Sequence, residues 1–404
     1  MKSLIAVLVL PLLMLTSFAY AQDVFQTVDP TEAGFDTEVL AQVNEDIEAK
    51  IADGKLAGAI GLIAKGDDVV FAETWGQRDR EAELPMTEDT IFRIYSMSKP
   101  ITSVAAMILA ERGQLGLDDP VSKYLTGWDD MTILVDGEEV SVEREITVRD
   151  LLRHTSGLTY GFFGNTPVDQ QYRQEGVLGE KDLEEMVSKL AEIPLLNQPG
   201  SRWHYSVSTD VLGRVVEVAS GKTLDMFFAE EIFEPLGMGD TFFNVPQEKQ
   251  SRLAQMYKPD GEGGLEPSNI WESVRFLSEE NAFFSGGGGL CSTARDYLTF
   301  CQMLLNKGEL NGARILQPET VLDMRSNHLT EGIQRGPGFQ FGLGFAVAQD
   351  QTYNWGGAAG TKFWIDPVND MVLIYMVQIK PTGGYDFGGI IKQAAKDAIS
   401  TSEE

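Results

Sequence analysis

The sequence predicts an α/β (α+β) fold: an antiparallel sheet built from both ends of the chain and flanked by helices, with a large, mostly helical segment inserted. Three observations predict it. Two strand-like runs, 59–64 and 69–75, stand near the start. Two more, 361–365 and 371–379, stand near the end. The long stretch between them reads as helices and loops.

Taken in order, the chain opens on what reads as a secretory leader, 1–21. Lys2 supplies the positive start, 4–15 is an apolar run broken by Pro11, and Ala19-Tyr20-Ala21 is a small-x-small cleavage site, so the mature chain is expected to begin at Gln22. The alternative is an uncleaved anchor, for which the run falls short of the ~20 residues a membrane span needs. Residues 36–52 have helical spacing, with Val39, Val43, Ile47 and Ile51 on one stripe. The turn Lys65-Gly66-Asp67-Asp68 joins the first two strands, and a turn around Asp366-Pro367-Val368-Asn369 joins the last two. Such short turns favour antiparallel pairing. Between them, helices are expected at 97–112, 148–153, 183–191, 209–219, 224–233 and 294–305, with Gly286 to Gly289 a local loop before the last of these. A helix at 388–400 closes the chain. The organisation that follows is a discontinuous α/β domain, 22–79 with 316–404, and a helical domain, 80–315. A cleft between the two is the expected site.

Composition narrows the function. At 43% hydrophobic the chain can bury a full core. Its 61 acidic against 32 basic residues give a net charge of −29, which argues against nucleic acid or an anionic membrane surface as partner. Cys291 and Cys301 are the two cysteines, too few for a disulfide scaffold. Export permits one bond between them, whereas the apolar helical setting of Cys301 favours two buried free thiols. His154, His204 and His328 are scattered with no ligand-spaced pair, so no metal or other cofactor is expected.

The segment with most chemical content is Ser96-Met97-Ser98-Lys99, at the start of the 97–112 helix. Residues i and i+3 share a helix face, so Lys99 can reach the Ser96 hydroxyl. A serine needs a nearby base to become a nucleophile, and a lysine can serve. Pro100 fits only near a helix start, which places Ser96 where free N–H groups point at it. The competing reading is that Ser96 is an N-cap. About one such spacing is expected by chance in a chain like this, so its surroundings decide.

Three further segments accompany it: Trp203-His204-Tyr205-Ser206-Val207-Ser208, Trp355-Gly356-Gly357-Ala358-Ala359-Gly360, and Leu151-Leu152-Arg153-His154-Thr155-Ser156-Gly157-Leu158. In this order and spacing the set resembles the serine β-lactamase and penicillin-recognising family, nearest to the family VIII carboxylesterases and class C β-lactamases. The likeness covers nearly all of the mature chain and implies a β-lactamase-like fold. It includes Phe162 to Thr166, Pro235 to Met238 and Gly288 to Ala294, segments to which no chemistry is assigned. The resemblance implies that Ser96 is the acylated nucleophile, that Lys99 helps deprotonate it, and that Tyr205 relays the proton to the leaving group. It implies that the backbone N–H groups of Ser96 and Ala358 form the oxyanion hole, and that Trp355-Gly356-Gly357 lies along the substrate.

The departures from the family pattern carry as much. The β-lactam and peptidoglycan enzymes usually have Lys or His then Thr or Ser where this chain has Trp355 and Gly356, so both grips on a substrate carboxylate are gone. Val207 stands where class C enzymes have an asparagine. Both losses point to carboxylic esters. No serine sits in the Gly-x-Ser-x-Gly setting of an α/β-hydrolase. A Ser–His–Asp triad through His154 or His204 remains open, though His154 better suits holding the turn Thr155-Ser156-Gly157. The expected function is an exported serine carboxylesterase acting on a small-molecule ester, with Trp203, Trp355, Phe162 and Phe163 suiting small, short-acyl or aromatic groups. A β-lactamase or D-Ala-D-Ala-type peptidase, or a non-catalytic binding protein on the same fold, are the alternatives. After leader removal no stable membrane insertion is expected; oligomeric state is not legible.

Overall fold

The computed structural model describes residues 27–268, 275–329, 331, 333, 335 and 338–400; the leader and its cleavage site lie outside them. Helix α1 (Thr37–Ala52) is capped by Asp36, whose carboxylate accepts from the Glu38 N–H at 2.9 Å. Its buried stripe is Leu40, Val43 and Ile47; Val39 and Ile51 are only partly buried at its edge.

The two expected strand pairs form the centre of one antiparallel sheet. Its strands are β1 (Gly58–Lys65), β2 (Asp68–Asp79), β3 (Leu84–Pro85), β4 (Gln340–Phe341), β5 (Ala346–Val347), β6 (Tyr353–Gly356), β7 (Lys362–Asp366) and β8 (Met371–Met376), in the order β4-β5-β6-β7-β8-β1-β2-β3. The two ends of the chain meet where β1 pairs with β8, Ile60 opposite Met376 and Leu62 opposite Ile374.

Side chains alternate across these strands. Ile60, Leu62 and Ala64, with Val372, Ile374 and Met376, join the large core on the helical-domain side. Ala59 and Ile63, with Leu373 and Tyr375, join a second core under α1 and the C-terminal helix. Burial on both faces explains the near-continuous apolar runs that made these strands legible.

The middle of the chain is helical, as expected, but also carries short two-stranded ribbons, such as Thr132–Val135 with Glu138–Ser141. The single helix expected over 224–233 is interrupted. An α turn, Leu224–Phe228, passes into a π turn, Ala229–Phe233, before Glu234–Leu236. A helix at Pro167–Glu175, opened by a Thr166–Asp169 capping box, was not anticipated.

Helix α2 (Ser98–Glu111) is the axle of the molecule. Every residue from Ser98 to Leu109 is buried, the pattern of a helix enclosed on all sides. It packs on α3 (Ser208–Ser220). Helix α4 (Ala294–Leu305) lies beneath the sheet, where the Tyr297 hydroxyl donates to the Met97 carbonyl at 2.8 Å. Cys291 and Cys301 are both buried free thiols, as the apolar setting of Cys301 favoured. The closing helix, α5 (Gly388–Ser400), covers the far face of the sheet.

Candidate active site

Ser96 is not the helix cap. It lies in a 3-10 turn, Tyr95–Met97, just ahead of α2, and the cap position falls to Met97 with no side-chain bond. Tyr95 enters the turn at φ +44°, a left-handed conformation rare for a bulky residue. Ser96 therefore lies ahead of the helix, its hydroxyl not spent on capping.

The Tyr205 hydroxyl donates to Ser96 Oγ at 2.7 Å, and Lys99 Nζ reaches the same oxygen at 3.3 Å. The i, i+3 spacing therefore does bring hydroxyl and amine together, and Tyr205 arrives from 109 residues further on. Lys99 is fully buried. It has two more acceptors, the Tyr160 hydroxyl at 2.8 Å and the Gly287 carbonyl at 2.6 Å, and its three partners match the three donors of an ammonium. Its ammonium also stands 4.7 Å from the centre of the Tyr205 ring, a favourable place for a cation.

Sequence reasoning missed two of these partners. Tyr160 lies in the loop that follows the His154 turn; burial, with Tyr205 and Asp210 nearby, keeps its phenol protonated well above the ordinary range. The Gly286 to Gly289 run is more than a loop before a helix. Gly287 turns its carbonyl to Lys99 and donates its N–H to Asp210 Oδ1 at 3.0 Å, and the Ser285 hydroxyl bonds the same carboxylate. A Cβ on Gly287 would collide with Asp210, so only glycine lets the loop seat there. Burial raises the Asp210 carboxyl above its usual range, opposed by Lys99 and these bonds.

The third segment lies against the backbone just ahead of Ser96. Gly357 follows β6, and a Cβ there would strike the carbonyl oxygen of Ile94, two residues before Ser96. Among the described residues neither the Ser96 nor the Ala358 amide donates to a carbonyl. An oxyanion needs N–H donors that are unspent in this way. Trp355 lines the cleft, and its indole N–H donates to the Tyr205 oxygen at 3.4 Å. Gly356 lines the cleft too, whereas Val207 is fully buried in the core.

The histidines stay out of this array. His154 is buried against the edge of the Tyr205 ring, 4.8 Å between centroids, and its Nδ1 lies 3.5 Å from Ser206 Oγ. Burial and the nearby Lys99 hold its imidazole well below the ordinary range, hence neutral. His204 Nε2 lies 3.3 Å from Thr159 Oγ1. Neither reaches Ser96, which removes the Ser–His–Asp reading. No group of three or more His, Cys, Asp or Glu that could hold a metal occurs among the described residues.

The cleft lined by Tyr205 encloses about 580 Å³. Phe163, Trp203 and Trp355 supply aromatic walls, and Trp203 stacks on Tyr205 with an interplanar angle of 10°. Phe162 and Phe163 stand at the rim, more than half exposed.

Comparison with known proteins gives a consistent picture. A protein-family model described as beta-lactamase matches residues 43–396. Esterase EstB of Burkholderia gladioli is 33% identical over 404 residues, covering 92% of this chain and 98% of that protein. A putative D-alanyl-D-alanine carboxypeptidase of Escherichia coli is 29% identical over 392 residues, covering 87% of this chain and 85% of its own. Among solved structures, EstCE1, described as a hydrolase with promiscuous acyltransferase activity, superposes with a TM-score of 0.78 at 31% identity, over 90% of this chain and 98% of its own.

Proposed function

The chain belongs to the β-lactamase family, and we propose that within it this protein is an exported serine carboxylesterase working through an acyl-enzyme on Ser96. The observation that carries the reading is the shared oxygen: Ser96 Oγ stands 2.7 Å from the Tyr205 hydroxyl and 3.3 Å from Lys99 Nζ, and Tyr205 itself lines an aromatic cleft.

In the reactive form the Tyr205–Lys99 pair holds one proton fewer, and the Ser96 hydroxyl donates to the Tyr205 oxygen across the same gap. Ser96 Oγ attacks the ester carbonyl carbon, and its proton passes to the pair. The carbonyl oxygen gains charge and takes the N–H groups of Ser96 and Ala358. When the intermediate collapses, the bond to the alcohol oxygen breaks and that oxygen receives the proton from Tyr205. Water then repeats the sequence on the acyl-enzyme, giving the acid and restoring Ser96. Lys99 is held beside both transfers by Tyr160 and Gly287.

Trp355 supports an ester over a β-lactam. It occupies the place where the family's β-lactam enzymes carry a cation, and its N–H is directed to Tyr205. Gly356 offers no hydroxyl beside it. The name of the EstB relative points the same way. Export rests on the leader, with cleavage after Ala21 placing the product in the periplasm or outside the cell.

The test offers purified protein a short-chain nitrophenyl ester and a chromogenic cephalosporin, beside Ser96→Ala. Ester turnover that vanishes with Ser96→Ala is the expected result. Faster cephalosporin than ester turnover would make it a β-lactamase, and no Ser96-dependent turnover of either would leave a binding protein. Tyr205→Phe is expected to lower kcat by about a hundredfold or more with unchanged circular dichroism; near-full activity would refute the relay.

A further inference from the structure

The cleft carries a charge opposite to that of the chain around it. Three of its lining residues, Arg202, Arg335 and Lys362, are cations, and none is Asp or Glu, in a chain with 61 acidic and 32 basic residues. A fold so acidic repels anions in general; a cationic lining confined to the substrate cleft reverses that locally.

Two of the three charges are unspent. The Arg335 guanidinium lies over the rings of Trp203, 5.0 Å from its centre, and Phe339, at 5.4 Å. Ring faces hold it against the cleft wall without using its N–H donors, and it makes no ion pair or hydrogen bond among the described residues. Arg202, next to Trp203 in sequence, also lines the cleft with no such partner. The third, Lys362, stands opposite Gly356 on β7. Because Gly356 has no side chain, the Lys362 stem crosses above it, its Cγ 3.3 Å from where a Cβ would stand. Lys362 pairs with Asp386, remains 29% exposed and lines the cleft.

A guanidinium with free donors, stacked on aromatic faces, is suited to a planar anion taken by paired N–H groups. A carboxylate has that shape, and an aromatic wall strengthens the attraction by displacing water. We propose that the natural substrate is an ester carrying a carboxylate away from the scissile carbonyl, held by Arg335 and Arg202 with Lys362 beside them. This rests on the esterase reading and departs from the neutral short-acyl or aromatic esters expected from the aromatic lining alone. The family's carboxylate grips at Trp355 and Gly356 are absent, and the cations here come from other elements, the segment before Tyr205, the loop before β4, and β7.

The experiment has two arms, one for each half of an ester. The first compares the mono-nitrophenyl ester of glutaric acid with its methyl diester, placing the carboxylate on the acyl side. The second compares 4-carboxyphenyl butyrate with its methyl ester, placing it on the alcohol side. In one arm the carboxylate member is expected to have the higher kcat/KM by about tenfold at low salt. That ratio is expected to fall towards one in the Arg202→Gln/Arg335→Gln double variant, and as NaCl rises from about 20 mM to about 0.5 M. Neutral members preferred in both arms, or a ratio untouched by the double variant, would overturn the proposal. Calorimetry on Ser96→Ala with glutaric acid monoanilide and with 4-butyramidobenzoic acid, one for each arm, reads the cleft without turnover. Saturable binding of either that weakens in the double variant supports the proposal, and binding of neither overturns it. Failure of the esterase reading shows separately, as absence of Ser96-dependent turnover in all four esters.

Discussion

At the scale of single residues, the site is a cage around one ammonium. Lys99 is buried, and each of its donors has an acceptor: Ser96, Tyr160 and Gly287. Removing the Tyr160 hydroxyl leaves one buried donor without a partner, which costs more than the bond itself contributes. The lysine head then has freedom to turn from Ser96. Tyr160→Phe is therefore expected to lower kcat by about ten- to a hundredfold with little change in KM, and to leave the thermal midpoint within a few degrees. Steady-state kinetics with a nitrophenyl ester check this, and an unchanged kcat would reduce Tyr160 to packing. The part of the site legible in sequence is the part carried by a local spacing or a linear motif. Ser96 and Lys99 announce themselves by i, i+3 spacing, and Tyr205 by the familiar order of segments. Tyr160 and Gly287 meet Lys99 across 61 and 188 residues, and nothing in their own neighbourhoods signals a lysine. The carboxylate of Asp210, in the first turn of α3, reads as helix-start chemistry until the fold seats the Gly287 loop on it.

At the scale of elements, legibility followed burial. Strands buried on both faces, β1 and β8, read as apolar runs, and the enclosed helix α2 read as an apolar helix. The strand Glu138–Ser141 is exposed throughout, so nothing in its pattern marks it. The segment β6, with three of its four residues only partly buried, is set by pairing with β7, Trp355 opposite Phe363, rather than by its own pattern. Its exit is the most constrained backbone in the site. Gly357 faces the Ile94 carbonyl and the Thr361 hydroxyl at closer than contact distance for any Cβ. The Gly357 N–H also donates to the Thr361 carbonyl at 2.8 Å. An added methyl must push the turn away from Ile94, and with it the Ala358 amide. Gly357→Ala is expected to lower kcat/KM by about a hundredfold or more, the usual cost of losing an oxyanion donor, and stability by ~1–3 kcal/mol through overpacking. Kinetics and urea unfolding on the same preparation check both effects. Stability lost with full activity would mean that the Ala358 amide is not where the oxyanion forms.

At the scale of the whole molecule, net charge and two buried carboxylates together set an unusual response to pH. A charge of −29 repels itself at neutral pH, so both added salt and mild acid are expected to stabilise. Asp296, in the first turn of α4, adds to this. Burial pushes its carboxyl up to about 6, even though the Asp240 N–H donates to it at 2.7 Å and the Thr241 hydroxyl at 2.9 Å. An ordinary unfolded aspartate titrates near ~3.9. A folded value above the unfolded one means stability fully present below ~4 and lost as pH rises through about 6, by roughly 2–3 kcal/mol. Asp150 works in the other direction. It lies between Arg144, at 2.6 Å, and Arg153, at 3.0 Å, with Thr147 and Thr155 bonded to it. Burial opposes these partners and is outweighed, so its carboxyl falls to about 2. A folded value below the unfolded one gives stability present above ~4 and lost as pH falls through about 2, again roughly 2 kcal/mol. The turn that Asp150 anchors carries His154 against Tyr205, so its protonation loosens the wall of the site as well as the fold. The unfolding midpoint is therefore expected to peak near pH ~4–5, to decline on both sides, and to rise with NaCl at pH 7 more than at the peak, where fewer charges remain to be screened. Asp296→Asn is expected to flatten the neutral limb and Asp150→Asn the acid limb. Urea titrations across this range measure all three curves; a midpoint that climbs steadily to pH 8 in the parent protein would show that neither self-repulsion nor the burial of Asp296 governs its stability.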